Sequence, residues 1–489
     1  MQCNPALAAR FLIVLGLGTC VLTAGAVLRG PEYDEGYTLL LTAGRRLPDW
    51  PDAPIAAADA RAGLTGAWSI GQIARDLRQG DVHPPLYFWA AAAWRDLAGR
   101  NLLDLRLLSV LFAVAGLACV GRIASLAGAP VATAMLMTLG SYGFSYTGTV
   151  ARGFALAQLL TLAGVAGLLS GRRPFASGLL LGAATCANYL SAFAGAAAVG
   201  WALWRGRRTA ALGFALWLPA DLFFFLAQRG SRENQFPPFE PAAALARLAR
   251  CMAAGLFGGL PLYAGAAQPA VAVAVAAVCV ALVVVVVWRW RRTPEHALLG
   301  VCALAPPAGL LALGAAFGNT PIEIRYLAFA APFWAVLLAD ALRERAAAGL
   351  VLTLQAAAIA GLLTRPETMQ PQGRAAREAA RLGGLAVVPR GDDGVGAPVA
   401  FALAAPDGMR LLTAPAGEPP DSILARVAGE TRVVLVLLAL DAGGRAALPA
   451  MRAAFAGPCW RPAGEGSLTA AFERACDDGR EVQATAGGP

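Results

Sequence analysis

The stretch FLIVLGLGTCVLTAGAVL, residues 11–28, followed at once by RGPEYDEGY, residues 29–37, decides how the chain is read. The first part carries no charge and approaches the roughly 20 residues of helix that a bilayer core of about 30 Å requires. A cleaved signal peptide would stop at a small-residue site before a soluble domain. Here the apolar run continues to Leu28, so it reads as a retained anchor. Directly beyond it stand two adjacent carboxylates, Asp34 and Glu35. Acids so close to a low-dielectric region are costly unless they are solvated or in use.

Working outward, the same apolar density recurs along the chain. Of 489 residues, 57% are hydrophobic and only 15% charged. A soluble domain carries about 25% charged residues, which excludes a purely soluble enzyme. The unbroken apolar blocks exclude collagen, coiled coil and disorder. All 40 basic residues are Arg, and the net charge of +9 is spread over loops. No basic cluster interleaves with aromatics, so nucleic acid is not an expected partner. The two His, at 83 and 296, are far apart, which argues against a zinc site.

Apolar runs near 11–28, 102–124, 130–147, 153–170, 175–188, 189–204, 209–227, 269–288, 296–317, 326–342 and 347–364 predict about eleven spans. Placing the Arg clusters at 172/173, 205/207/208, 289/291/292 and 343/345 in the cytoplasm puts the N-terminus inside and the tail outside. The segment 242–264, broken by Gly and Pro, then reads as interfacial or re-entrant. The first outer loop, 29–101, holds an amphipathic pattern at Ile70, Ile73, Ala74 and Leu77 suited to the bilayer surface. Residues 85–99 are too short an apolar run to cross. This divides the chain into a transmembrane domain, 1–364, and a small periplasmic α/β domain, 365–489. In the latter, 373–385 and 445–455 read as helices, 385–388, 399–403 and 432–440 as strands, and 406–408 as a turn. Cys459 and Cys476 are the tail's two cysteines and are candidates for a disulfide in an oxidising compartment.

Chemistry can reside in four places. Asp34 and Glu35 offer a general base. Asp81, Val82, His83, Pro84, Pro85, Leu86 and Tyr87 form a proline-fixed entry that holds His83 at the headgroup level. Arg152 lies at one outer turn and Arg325, beside Tyr326, at another. Arg106, a further cation outside these four, begins the second span. Arg on the outer side runs against the positive-inside trend, and bidentate binding of phosphate is a reason to keep it there.

These features occur in an order that resembles a known family. An acidic pair after the first helix, an HPPLYF-type entry, Arg-Leu-Leu-Ser at 106–109, Ala-Arg-x-aromatic at 151–154 and Arg-Tyr-Leu at 325–327 look like the GT-C glycosyltransferases. More narrowly they resemble bacterial members of the protein mannosyltransferase and lipid A aminoarabinose transferase group. The resemblance covers residues 1–345 and not the tail. It implies inverting sugar transfer from a polyprenyl-phosphate donor to an envelope acceptor at the outer face of the inner membrane. By that pattern Asp34 matches the catalytic acid, with Glu35 beside it. His83, Arg106, Arg152 and Arg325 would bind the donor phosphate, and Tyr37, Asp81, Tyr87 and Tyr326 the substrates. Some members carry a further acid where Arg152 stands. No metal is obligatory for a monophosphate donor, although Asp34 and Glu35 could hold a divalent ion for a pyrophosphate. The other open readings are a polytopic transporter or lipid flippase, which would need inverted repeats and broken mid-membrane helices, and a non-catalytic scaffold for envelope assembly. The acceptor is not legible.

Overall fold

Apolar sequence in lipid must satisfy its own backbone, and a helix does so within one segment. The computed structural model, which describes residues 5–229, 236–439 and 441–476, is accordingly mostly helical. It divides into two compact units, Met1–Arg29 with Trp68–Met369, and Gly30–Ala67 with Gln370–Pro489.

In the first unit every predicted apolar run is helical, but the helices differ in length. Among the described residues, five are long and apolar enough to cross a membrane: Ala8–Leu28, Leu102–Ala127, Gly265–Trp288, Pro294–Phe317 and Ala346–Thr364. Arg208–Ala215 and Leu218–Gln228 form a pair bent by 44°. Phe154–Ser170, Pro174–Thr185, Ser191–Trp204 and Ala331–Ala341 are shorter apolar helices. The run at 130–147 is a helix, Val131–Leu139, then the single turn Tyr142–Ser145 and the 3₁₀ turn Thr147–Thr149. Broken helices release carbonyls that must find donors away from water. Two buried glutamines supply them. Gln158 Nε2 donates to the Gly143 and Ala328 carbonyls at 2.7 and 2.9 Å. Gln355 Nε2 donates to those of Met137 and Leu256 at 3.0 and 2.8 Å.

The amphipathic pattern after residue 69 forms the helix Ile70–Gly80, capped by the Ser69 side chain, which accepts from the Gln72 N–H, and burying Ile73 and Leu77. The short run after the prolines forms Leu86–Ala98.

The second unit is a six-stranded sheet with helices. Its strands are β1 (Ile55–Ala56), β2 (Leu385–Pro389), β3 (Arg410–Ala414), β4 (Arg432–Val436), β5 (Trp460–Glu465) and β6 (Thr469–Arg474), in the order β1-β3-β2-β4-β6-β5. β2 pairs in parallel with β3 and β4, and the other neighbours are antiparallel. The helices Gln372–Leu382 and Ala442–Ala454 and the turn at Asp407 and Gly408 fall where the sequence placed them. The strand expected at 432–440 ends at Val436, and Leu440 lies outside the described residues. Residues 399–403, expected as a strand, belong instead to the helix Gly396–Ala404. That segment is buried on nearly every side, so no period distinguishes strand from helix, and its Ala content favours the helix. Cys459 and Cys476 form a disulfide.

The expected boundary at 364/365 therefore falls at Met369, and residues 30–67 of the first loop join the tail. The reason is direct pairing. Ile55 and Ala56 extend the sheet along β3. Trp50 Nε1 donates to the Gly394 carbonyl at 2.8 Å. Arg61 donates to the Ala402 and Ala405 carbonyls at 2.6 and 2.8 Å and pairs with Asp407. The helix Tyr33–Thr42 lies so close to Gly396–Ala404 that a Cβ on Gly36 would stand 3.0 Å from Val395 and 3.2 Å from Val399. A tail fragment of residues 370–489 should accordingly be insoluble or molten. A single chain joining 30–67 to 370–489 through a flexible linker should give a cooperative thermal transition. Equal behaviour of the two in circular dichroism melts would refute the pairing.

Candidate active site

The second unit holds the acidic pair in two different settings. Both acids fall in the first turn of the helix Tyr33–Thr42, where the helix dipole favours negative charge. Glu35 is fully buried and completes a capping box, accepting from the Glu32 N–H at 3.0 Å through Oε2. Asp34 is only half-buried. On the same helix Tyr33 and Tyr37 share a hydroxyl contact of 2.9 Å, and the Tyr37 hydroxyl donates to Asp393. Asp393 follows β2, and Asp441 follows β4, at the point where the chain leaves these neighbouring strands in opposite directions. Crevices open at such points in parallel sheets. Burial, reinforced by the nearby Asp392 and Asp393 carboxylates, raises the Asp441 pKa above the usual carboxylate range.

In the first unit, Asp81, His83 and Arg152 come together. Asp81 Oδ1 lies 2.7 Å from His83 Nδ1, and Asp81 Oδ2 lies 3.5 Å from Arg152 Nη1. Arg152 Nη2 is 2.9 Å from His83 Nδ1 and 3.5 Å from Nε2. A carboxylate can only accept, so Nδ1 donates to Asp81. The side chains of Asp81 and Arg152 are each 2% exposed, while that of His83 is 21% exposed. The guanidinium also lies over the Phe88 ring at 5.5 Å.

Local backbone explains the convergence. A Cβ on Gly153 would sit 2.3 Å from the Ala187 carbonyl oxygen, so only glycine lets the turn carrying Arg152 approach so closely. The Leu86 N–H donates to the Cys186 carbonyl at 3.0 Å and fixes the entry after the prolines. Gln228 Nε2 donates to the Leu77 and His83 carbonyls, both at 2.9 Å, and Gln228 Oε1 accepts from the Tyr189 hydroxyl at 3.0 Å.

His83 lines a cavity of about 950 Å³. Phe154, Phe193, Phe214, Phe225 and Phe317 make its wall apolar, and Asn188, Tyr189, Asp221, Gln228 and Tyr326 add polar groups. Arg325, next to Tyr326, has its Nε 2.7 Å from Glu323 Oε2. Arg106 and Tyr87 have packing partners of their own. Arg106 Nη1 donates to the Ala26 and Arg29 carbonyls at 3.0 and 2.8 Å, closing the end of the first helix. Tyr87 is fully buried, its hydroxyl 3.4 Å from Ser109 Oγ. Sequence reasoning passed over Asp221, Asn188 and Gln228, although an acid inside the apolar run 209–227 was a visible signal. Among the described residues, no group of three or more His, Cys, Asp or Glu could hold a metal ion.

Apolar helices together with a small mixed sheet make up a GT-C-like fold. The solved structures that share it include ArnT from Cupriavidus metallidurans bound to undecaprenyl phosphate, with a TM-score of 0.52, 11% identity, and coverage of 94% of this chain and 97% of that one. The apo state of the same ArnT matches with a TM-score of 0.52 and 14% identity over 96% and 98% of the two chains. At such identities the likeness is one of fold. No family model and no curated protein matches the sequence.

The buried ion pair should dominate the local stability of the first unit. Removing one partner of such a pair costs about 3–5 kcal/mol, because the other charge is stranded. Asp81→Ala should therefore lower the thermal midpoint in detergent far more than the double variant Asp81→Ala/Arg152→Met. Additive losses in the double variant would show that the two charges are not coupled.

Proposed function

We propose that the chain is an inverting glycosyltransferase that takes a sugar from a polyprenyl-phosphate donor and passes it to an acceptor of the cell envelope. The observation that carries this reading is the Asp81–His83–Arg152 cluster beside a large apolar-walled cavity. It occurs in a fold whose solved ArnT example is bound to undecaprenyl phosphate. A lipid chain suits the phenylalanine wall, and a phosphate suits the cations.

The chemistry follows from charge. The bond between the anomeric carbon and the phosphate oxygen breaks as a new bond forms to the acceptor oxygen on the opposite face. Arg152 and His83 meet the negative charge that develops on the departing polyprenyl phosphate. Asp81 holds both in place, so little rearrangement accompanies the reaction. Arg325 is a further cation, and Arg106 acts through the end of the first helix. Asp34 takes the proton of the acceptor hydroxyl, while Glu35 secures the start of the helix that carries it. Tyr37 orients that helix through Asp393. No step requires a metal or another cofactor. The transferred sugar is a hexose or pentose.

Asp34→Asn keeps shape and removes the proton acceptor, so the rate of sugar release from a radiolabelled undecaprenyl-phosphate sugar should fall at least about 10²-fold. Binding of undecaprenyl phosphate should be unchanged. His83→Ala and Arg152→Ala should instead weaken undecaprenyl phosphate binding, by about 1–3 kcal/mol per lost charge-assisted bond. An Asn variant that keeps a tenth of the wild-type rate, or Ala variants with unaltered lipid affinity, would sink the respective role.

We place the chain in the bacterial inner membrane as a multi-pass protein, with its N-terminus cytoplasmic and the sheet unit periplasmic. The Arg clusters support this orientation, as does the Cys459–Cys476 bridge, a bond suited to an oxidising compartment. In intact spheroplasts a membrane-impermeant maleimide should label these two cysteines only after an impermeant reductant is added. Labelling that appears only after lysis would invert the assignment.

A further inference from the structure

The cavity beside His83 contains a carboxyl group that the reaction above does not use. Asp221 lies on the helix Leu218–Gln228, is 8% exposed and lines the cavity together with Thr185 and Asn188. Its Oδ2 accepts from the Thr185 hydroxyl. Its Oδ1 is buried with no hydrogen-bond partner among the described residues. Leaving such an atom unsatisfied costs about 1–3 kcal/mol, and acids within apolar helices are retained where they serve a ligand or pathway.

The helix shows where that ligand would lie. Leu218, Asp221, Leu222, Phe225 and Gln228 fall on one helical face, and all line the same cavity. Gln228 fastens the loop that carries His83. Seven residues at 1.5 Å each put Asp221 about 10 Å along the helix from that anchor. A phosphate and one attached sugar ring can span this distance. An isoprenoid chain has no polar hydrogen to offer, and an ionised phosphodiester has none either. Within a polyprenyl-phosphate donor, only the sugar carries hydrogens that can satisfy Oδ1.

We propose that Asp221, supported by Thr185 and Asn188, forms the subsite that reads the donor's sugar through one of its hydroxyl or ammonium hydrogens. Thr185 occupies Oδ2 and leaves Oδ1 as the acceptor still without a partner among the described residues. Asn188 accepts from the Leu190 N–H at 3.0 Å through its own Oδ1, so its amide group is oriented and its NH₂ can face a sugar oxygen. This inference rests on the glycosyltransferase reading, and it goes further by assigning sugar selectivity to one carboxyl group rather than to the phosphate cluster.

The test separates the lipid from the sugar. Dissociation constants of the purified full-length protein are measured for undecaprenyl phosphate and for undecaprenyl-phosphate glucose, mannose, galactose and arabinose. Wild-type protein should prefer at least one sugar-bearing lipid over the bare one. In Asp221→Leu that preference should fall about 10- to 100-fold, with bare-lipid affinity within about twofold of wild type. Asp221→Asn, which keeps the volume and one acceptor oxygen, should fold normally and lose part of the preference. An unchanged preference in both variants would overturn the proposal. Equal loss of bare and sugar-bearing lipid in both would also overturn it, since the residue would then only shape the cavity. Wild-type protein that binds none of these lipids would instead overturn the parent reading, and this one with it.

Discussion

Arg152 can exist in the first unit because Asp81 is there. A guanidinium with a side chain 2% exposed, between apolar helices, would be expelled or would unfold its surroundings without a counter-charge. The same carboxylate also orients the His83 ring, so one buried group fixes both side chains. Much of the surrounding backbone serves this juxtaposition. The glycine after Arg152 admits the Ala187 carbonyl, the prolines before Leu86 set the approach of the loop, and Gln228 ties that loop to the cavity wall. A site assembled in this way is organised before any ligand arrives, which is the condition under which fixed charges would assist departure of the leaving group in the reaction proposed above.

The acidic pair depends on a different support. Adjacent carboxylates at the start of one helix look equivalent in sequence, yet the fold gives them different tasks. Glu35 turns inward and satisfies the backbone that begins the helix. Asp34, one position earlier, remains half-buried in the first turn. The helix itself is held by the sheet, through Gly36 against Val395 and Val399 and through Tyr37 to Asp393. The C-terminal unit is therefore the scaffold of the residue proposed as the base, which gives the tail a reason to exist beyond covering a surface.

The limits of sequence reading follow from the range of the interactions involved. Helical runs, the amphipathic segment at 70–80 and the tail helices at 372–382 and 442–454 are legible because their signals are local and periodic. His83 and Arg152 could each be singled out as an unusual outer-side polar residue, but nothing local shows that positions 69 residues apart share a hydrogen bond. The value of Asp81 as a counter-charge is likewise visible only after folding. Two residues, Ile55 and Ala56, join β3 across some 350 positions, and a strand that short leaves no pattern to detect. At 399–403 burial on nearly every side erases the period that separates strand from helix, so the sequence predicts a strand where the helix Gly396–Ala404 stands. Helix lengths were overestimated at 130–147 and 326–342 for a related reason, since hydropathy does not register a break whose carbonyls are satisfied from elsewhere in the fold.

Those satisfied breaks also explain how a fold can persist at 11–14% identity. A lipid-facing position asks only for an apolar side chain, so most of the first unit can vary without altering how its helices pack against lipid. Apolar faces alone do not distinguish one helix arrangement from another, because the tails are as apolar as the neighbours. Specificity must then come from the few buried polar atoms that have one correct partner. Gln158 bridges Gly143 to Ala328, Gln355 bridges Met137 to Leu256, and Asp81 joins His83 to Arg152. Each contact penalises any alternative packing by leaving a donor or a charge unsatisfied in a medium without water. In this first unit the polar residues are few, and they are what makes a bundle of interchangeable apolar helices adopt a single arrangement around its cavity.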